Sequence, residues 1–159
     1  MKKQQKGFSL IELLIVVAII LIIAAIAIPN LLRSKMAANE ASAVGSMRSI
    51  NTAEVYYDII YHQGYSPTLA ALRVSGKGSP PTAAAAALLD DTLTSGRKAG
   101  YVFVYKSGTP DKDGRINTYT LVARPVKWQE GLLSIFTDET GKIRGTRENR
   151  EPTARDELL

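Results

Sequence analysis

The sequence predicts an α+β protein in which one long N-terminal helix packs on a small antiparallel β-meander. Three observations predict it. An apolar run extends from Phe8 to Ile28, unbroken after Glu12. Apolar residues then recur at helical steps from Met36 to Ile60. From Tyr101 onward the pattern switches to a period of two, the signature of half-buried strands.

The apolar run comes first. Of the 21 residues from Phe8 to Ile28, only Ser9 and Glu12 are polar. At about 1.5 Å of rise per residue, a helix of this length spans the roughly 30 Å hydrocarbon core of a bilayer. Lys2, Lys3 and Lys6 precede it with no acidic residue between them. The positive-inside rule therefore places the N-terminus in the cytoplasm and the rest of the chain across the membrane. Glu12 interrupts this apolarity: a carboxylate costs roughly 2.5–3.5 kcal/mol at the bilayer centre and less near the interface, so one tolerated there usually has a partner. A competing reading is an ordinary secretory signal peptide cut at Ala25-Ile26-Ala27, which would free a secreted soluble binding domain. Against it, the run exceeds the usual signal-peptide core of about 7–15 residues. Glu12 also sits inside the run, and Pro29 follows close behind the cut.

The helix is expected to continue past Pro29 as one element from about residue 8 to 62. A bend is expected at the proline, which removes a hydrogen bond and crowds the preceding turn. Met36, Ala43, Met47, Ile50, Tyr57 and Ile60 fall at steps of three, four and seven, which is one helix face. Arg33, Lys35, Glu40, Arg48, Glu54 and Asp58 lie mostly off that stripe. Gly64 and Pro67 end the helix. The expected organisation is thus a basic segment 1–7, an apolar helix 8–30, an amphipathic half 31–62, a globular domain 63–146 and a charged tail 147–159.

Within the globular domain, Thr68–Arg73 predicts a short helix, and Gly76-Lys77-Gly78-Ser79-Pro80-Pro81 has the composition of a turn. The alanine- and leucine-rich stretch 83–94 predicts a second helix capped by Gly96. Tyr101, Phe103 and Tyr105 alternate with Val102 and Val104, and runs at Tyr119–Ala123 and Leu133–Phe136 follow. Residues 142–145 predict a short edge strand, giving three or four strands in all. Asp111-Lys112-Asp113-Gly114 and Asp138-Glu139-Thr140-Gly141 predict hairpin turns. The charged residues 147–159, with Pro152, read as a solvated or disordered tail.

Composition bounds the chemistry. The net charge is +5 in 159 residues, and taking away the three lysines of residues 1–7 leaves +2. The basicity is thus largely a topology signal, and no nucleic-acid partner is expected. With no cysteine, the domain has no disulfide to staple it. His62 is the only histidine, and no thiol or second imidazole joins it as a metal ligand. No nucleophile motif surrounds it, so no catalytic residue is assigned. Gly76-Lys77-Gly78-Ser79 lacks the spacing of a phosphate-binding loop, and two prolines follow it. Any calcium site would draw on Asp111, Asp113 and Asp138, but the EF-hand loop is missing and aspartate-rich turns arise for backbone reasons alone. The reading is therefore no metal, no cofactor and no enzyme. The tyrosines read as core and hairpin-face residues.

The stretch Lys6-Gly7-Phe8-Ser9-Leu10-Ile11-Glu12, leading into the apolar run, resembles the N-terminus of type IV pilins and their pseudopilin relatives. The resemblance covers Lys6 to about Asn30. It implies that residues 1–7 are a leader and that Gly7–Phe8 is the bond cut by a prepilin peptidase. Phe8 would then be the N-methylated new terminus. Glu12 would neutralise the Phe8 ammonium of a neighbouring subunit, and Pro29 matches the family's helix-breaking position. The physics agrees, because a buried carboxylate and a buried ammonium are each costly alone and tolerable together. The implied fold is the family's helix-and-meander domain. The implied function is that of a structural subunit in a helical homo-oligomeric filament serving adhesion, motility or DNA uptake. Its precursor would lie in the bacterial inner membrane, single-pass with a cytoplasmic N-terminus, and would be delivered to an inner-membrane assembly platform. The filament would stand in the periplasm or at the cell surface. The alternative within the resemblance is a type II secretion pseudopilin, which drives protein export and often uses calcium. The segment Gly64-Tyr65-Ser66-Pro67 is loosely similar to that subclass. Many major pilins close a C-terminal loop with a disulfide, which this chain cannot form.

Overall fold

The computed structural model describes residues 8–76, 79–127 and 133–159. They fall into two units, one ending at Lys35 and one beginning at Met36. Helix α1, Leu10–Tyr61, is 52 residues long and runs through Pro29 as an α-helix. In the first unit its most apolar stretch has nothing packed on it among the described residues.

In the second unit α1 supplies one wall of the core. Ala43, Met47, Ile50, Ala53 and Tyr57 are buried on it, at the spacing of one helix face. Two expectations fail on this helix. Ile60 is 51% exposed, because the buried face ends with Tyr57. Glu54, expected off the stripe, is fully buried. It lies between the buried positions Ala53 and Tyr57, and a polar partner waits there.

The helix ends with His62 at φ 54° and Gly64 at φ 77°. The chain then turns sharply onto Ile116: Tyr65 N–H donates to the Ile116 carbonyl at 2.8 Å, and Ile116 N–H donates to Gln63 at 3.0 Å. The short helix expected at 68–73 is a 3-10 turn, Leu69–Leu72.

The second helix expected over 83–94 does not form. Only α2, Asp91–Thr94, is helical. The alanines before it spend their donors elsewhere: the N–H groups of Ala86, Ala87, Leu88 and Leu89 go to the carbonyls of Ala71, Arg73, Leu72 and Leu72. That pairing buries Ala86 and Leu89, so tertiary contacts outweigh the helix propensity of alanine. Asp90 caps α2, accepting from Leu93 N–H at 2.7 Å, and Gly96 (φ 77°) closes it.

The sheet has six antiparallel strands whose spatial order equals their chain order. They are β1 Arg97–Lys98, β2 Tyr101–Ser107, β3 Tyr119–Pro125, β4 Ser134–Asp138, β5 Arg144–Thr146 and β6 Glu157–Leu158. The expected meander of three or four strands is thus extended at each edge by a two-residue strand. Both predicted turns are present, with Gly114 N–H donating to Asp111 at 3.0 Å and Gly141 N–H to Asp138 at 2.9 Å. Tyr101, Phe103, Tyr119, Leu121, Ala123 and Ile135 are buried in the same core cluster as the α1 residues.

Residues 147–159 are largely exposed, as expected of a solvated segment, but they are tied to the domain rather than disordered. Leu158 pairs with Arg144, Leu159 N–H donates to Ile143, and Pro152 is buried. Arg150 and Asp156 form an ion pair inside the segment.

Candidate assembly segment and a buried carboxylate

What the first unit offers is a surface. From Phe8 to Leu32, the large apolar side chains are between 45% and 82% exposed. The helix is long and apolar enough to cross a membrane, and its most apolar window has nothing packed on it. So much apolar surface on a helix requires lipid or other apolar helices around it.

Of the residues singled out in the sequence, Gly7 lies outside the described residues. Phe8 is 82% exposed, just ahead of the helix. Pro29 sits inside α1, where its ring leaves the Ala25 carbonyl without its usual donor. Glu12 lies in the first turn, and its Oε2 accepts from the Ser9 backbone N–H at 2.9 Å. Ser9 therefore stands at the helix cap, and Ser9-Leu10-Ile11-Glu12 supplies the carboxylate half of a capping box, serine followed three residues later by glutamate. The spacing was readable in the sequence. It gives the carboxylate a partner within its own chain and a favourable place at the positive end of the helix.

In the second unit the structure brings together residues that sequence reasoning had left apart. Glu54 Oε2 accepts from the Ser66 N–H at 2.8 Å, and Oε1 lies 2.6 Å from Ser66 Oγ. Ser66 Oγ is also 3.1 Å from the Thr68 carbonyl. The Tyr105 hydroxyl donates to the Ser66 carbonyl at 2.8 Å. Glu54 and Ser66 are both fully buried. Burial pushes the Glu54 carboxyl up from its ordinary range, and the Ser66 donors counter this only in part. Burial likewise raises the hydroxyls of Tyr105 and Tyr119, and pushes Tyr101 up to about 12. A serine next to a Gly-Tyr pair carries no signal of its own, so this cluster was not legible locally.

Nearby, Asn51 ties α1 to the end of the sheet. It donates to Thr137 Oγ1 at 2.9 Å and accepts from the Tyr119 hydroxyl at 3.0 Å. Asp58 and Arg115 form a two-point ion pair at 2.7 and 2.9 Å. His62 is exposed at the helix end. Asp111 spends its carboxylate on its own turn, accepting from the N–H groups of Asp113 and Arg115 and from Asn117. Asp138 does the same with Thr140. Among the described residues no three His, Cys, Asp or Glu side chains are grouped to hold a metal ion.

Comparison with known proteins agrees with the exposed N-terminal helix. The family model described as the prokaryotic N-terminal methylation motif matches residues 2–28. The type IV wide pilus major component of Thermus thermophilus is 36% identical over 126 residues, covering 76% of this chain and 92% of that protein. The chain belongs to the type IV pilin family. A second pilin relative, the type IV major pilin protein of Myxococcus xanthus, is 38% identical over 72 residues, covering 40% of this chain and 33% of that protein. No solved structure matches this pilin significantly.

Proposed function

We propose that this pilin is the structural subunit of a type IV pilus filament, made as a single-pass membrane precursor and polymerised through its N-terminal helix. The observation that carries the proposal is the exposure of the apolar residues from Phe8 to Leu32 on a helix whose other end is built into a folded domain. In the precursor, lipid covers this surface. In the filament, the same helices of neighbouring copies cover it.

The residue roles follow from charge. Cutting between Gly7 and Phe8 removes Lys2, Lys3 and Lys6 and creates an ammonium at Phe8, the expected site of N-methylation. Glu12 is the carboxylate within the apolar run, one turn away, and it meets the Phe8 ammonium of a neighbour when the copies assemble. The Ser9 bond then holds Glu12 until a neighbour arrives. Pro29 weakens the hydrogen-bond ladder at one point and gives α1 a place to adjust as it moves from lipid into the filament. The protein's work is assembly rather than catalysis. Its partners are further copies of itself, a prepilin peptidase and an inner-membrane assembly platform. The pilus names of both relatives support this reading over the secretion alternative.

The deciding experiment is N-terminal sequencing of the subunit from sheared filaments and from membranes. Phe8 as the mature terminus is expected in filaments. A mature terminus at Ile28 would mean that signal peptidase releases a soluble domain.

A further inference from the structure

We propose that the folded protein carries Glu54 as the neutral acid. In that form it works as a proton-operated latch, fastening the segment 64–68 to α1 and β2. The inference does not depend on filament assembly.

The geometry carries it. Glu54 is fully buried, the N–H and hydroxyl of Ser66 are bonded to it, and the Tyr105 hydroxyl stands beside it; all of these partners are neutral. The ionisable groups that interact with it are Tyr57 on α1, Tyr65 in the segment itself, Tyr105 on β2 and Tyr119 on β3; beyond them, against Tyr65 and Tyr119, stand Asp58 on α1, Asp138 at the end of β4, Glu139 in the β4–β5 turn and Arg115 in the β2–β3 loop. Arg115 is the cation in this set, and its guanidinium is spent on Asp58. A carboxylate taken from water without a cation is strongly disfavoured.

Counting donors shows that the acid form fits. The protonated Oε1 donates to Ser66 Oγ across the 2.6 Å contact, and Ser66 Oγ–H then turns to the Thr68 carbonyl 3.1 Å away. Ser66 N–H still donates to Oε2, and Tyr105 still donates to the Ser66 carbonyl. Every group is bonded and no charge is buried. When the proton is lost to water, the Ser66 hydroxyl must turn back to Oε1, and the site keeps an uncompensated charge. The cheapest relief is for 64–68 to lift and admit water. No disulfide opposes this: the segment is held to its surroundings by Ser66, the Tyr65–Ile116 bond, the Gly64 N–H donating to Asp58 at 3.1 Å, the edge-on contact of Tyr65 with Tyr119 and the buried Leu69 that follows.

The pH sense is fixed by the direction of the shift. Burial raises the folded-state proton affinity above the ordinary value of 4.5. The contribution of this group is therefore fully present below that pH and is lost as pH rises through the folded-state value.

The test uses the full chain in detergent micelles, as wild type and E54Q. Glutamine copies the acid form, donating to Ser66 Oγ and accepting from Ser66 N–H, but has no proton to lose. Amide hydrogen exchange over 63–72 is compared at pH 5 and pH 8 after correction for the intrinsic rate. Wild type should exchange about tenfold faster or more at pH 8, while E54Q stays unchanged. Infrared spectra at pH 6 should show a protonated-carboxyl stretch in wild type that E54Q lacks, a measurement that stands even if E54Q folds poorly. The same pH dependence in both proteins, or no such stretch in wild type, overturns the proposal.

Discussion

Arg147 and Glu40, 107 residues apart in sequence, form a two-point ion pair, with Nη1 to Oε1 at 2.9 Å and Nη2 to Oε2 at 3.1 Å. The pair fastens the start of the C-terminal segment to the early part of α1 in the folded domain. A chain without cysteine has to make such closures from charge, strand pairing and packing.

Arg147→Ala should lower domain stability by roughly 0.2–1 kcal/mol, since Arg147 is well exposed although Glu40 is not. Arg147→Lys should recover only part of this, because an ammonium cannot make both contacts at once. A double-mutant cycle with Glu40→Ala, run at low and high salt, measures the coupling. A coupling of zero at low salt would show that the pair does not fasten the segment.

The Arg150–Asp156 pair sets an acid limit. Hydrogen bonding to Arg150, helped by the Thr153 N–H, lowers the Asp156 carboxyl to about 2. A depressed carboxylate contributes stability above its unfolded value, and that contribution disappears as pH falls from about 3.8 through about 2. Asp156→Asn should be less stable than wild type at pH 5 and should converge with it near pH 2. Melting curves across that range check this, and a constant difference at all pH values would contradict it.

Gly64→Ala should be among the most damaging small changes in the domain. A Cβ at Gly64 would lie 2.0 Å from the Ile116 carbonyl oxygen, at φ +77°. The backbone strain alone costs about 1–3 kcal/mol, and the contact is with main chain that cannot step aside. The measurement is denaturant unfolding of the full chain in detergent. A midpoint within error of wild type would mean that the turn onto Ile116 is looser than described.

Glu12→Ala should insert and be processed normally but fail to assemble. Insertion depends on total apolarity, which the change increases. Assembly would leave a buried Phe8 ammonium unpartnered, a loss of roughly 3–5 kcal/mol per subunit in a dry site. Glu12→Gln should fail as well, since it keeps the hydrogen bond to Ser9 N–H but not the charge. Blots of sheared filaments against membrane fractions read this out. Wild-type filament yield from Glu12→Ala would refute charge pairing.

Gly7→Leu should block maturation, because a protease needs extended, accessible backbone between the basic leader and the helix. Mass spectrometry of membranes should find the subunit still carrying residues 1–7. Normal trimming would count against the assigned bond.

The elements legible in the sequence were those with a long-lived period. The helix, the two Asp-to-Gly turns and the alternation at Tyr101–Tyr105 all appear where expected. What failed was decided at long range. Ala83–Leu89 has the composition of a helix, yet its N–H groups pair with Ala71, Leu72 and Arg73. Glu54 has the look of a solvent-facing residue, yet it is buried because Ser66 returns to meet it from twelve positions away. The edge strands Arg97–Lys98 and Glu157–Leu158 are too short to show any period. In the N-terminal segment the residue types were legible, and the Ser9–Glu12 spacing, three residues as in a capping box, also stands in the sequence, although the apolar run around it reads first as a membrane signal.

The strand order of the sheet has a consequence for how the domain is made. Because β1 to β6 lie side by side in chain order, no strand waits for one synthesised later to be inserted between its neighbours. A polypeptide made from its N-terminus presents Ala43–Tyr57 first, and each hairpin can then close on that surface as it emerges. Such local, sequential contacts favour rapid folding with little exposed strand edge at any moment. Of the six strands Glu157–Leu158 is made last, and it pairs along the edge that Arg144–Gly145 would otherwise leave open.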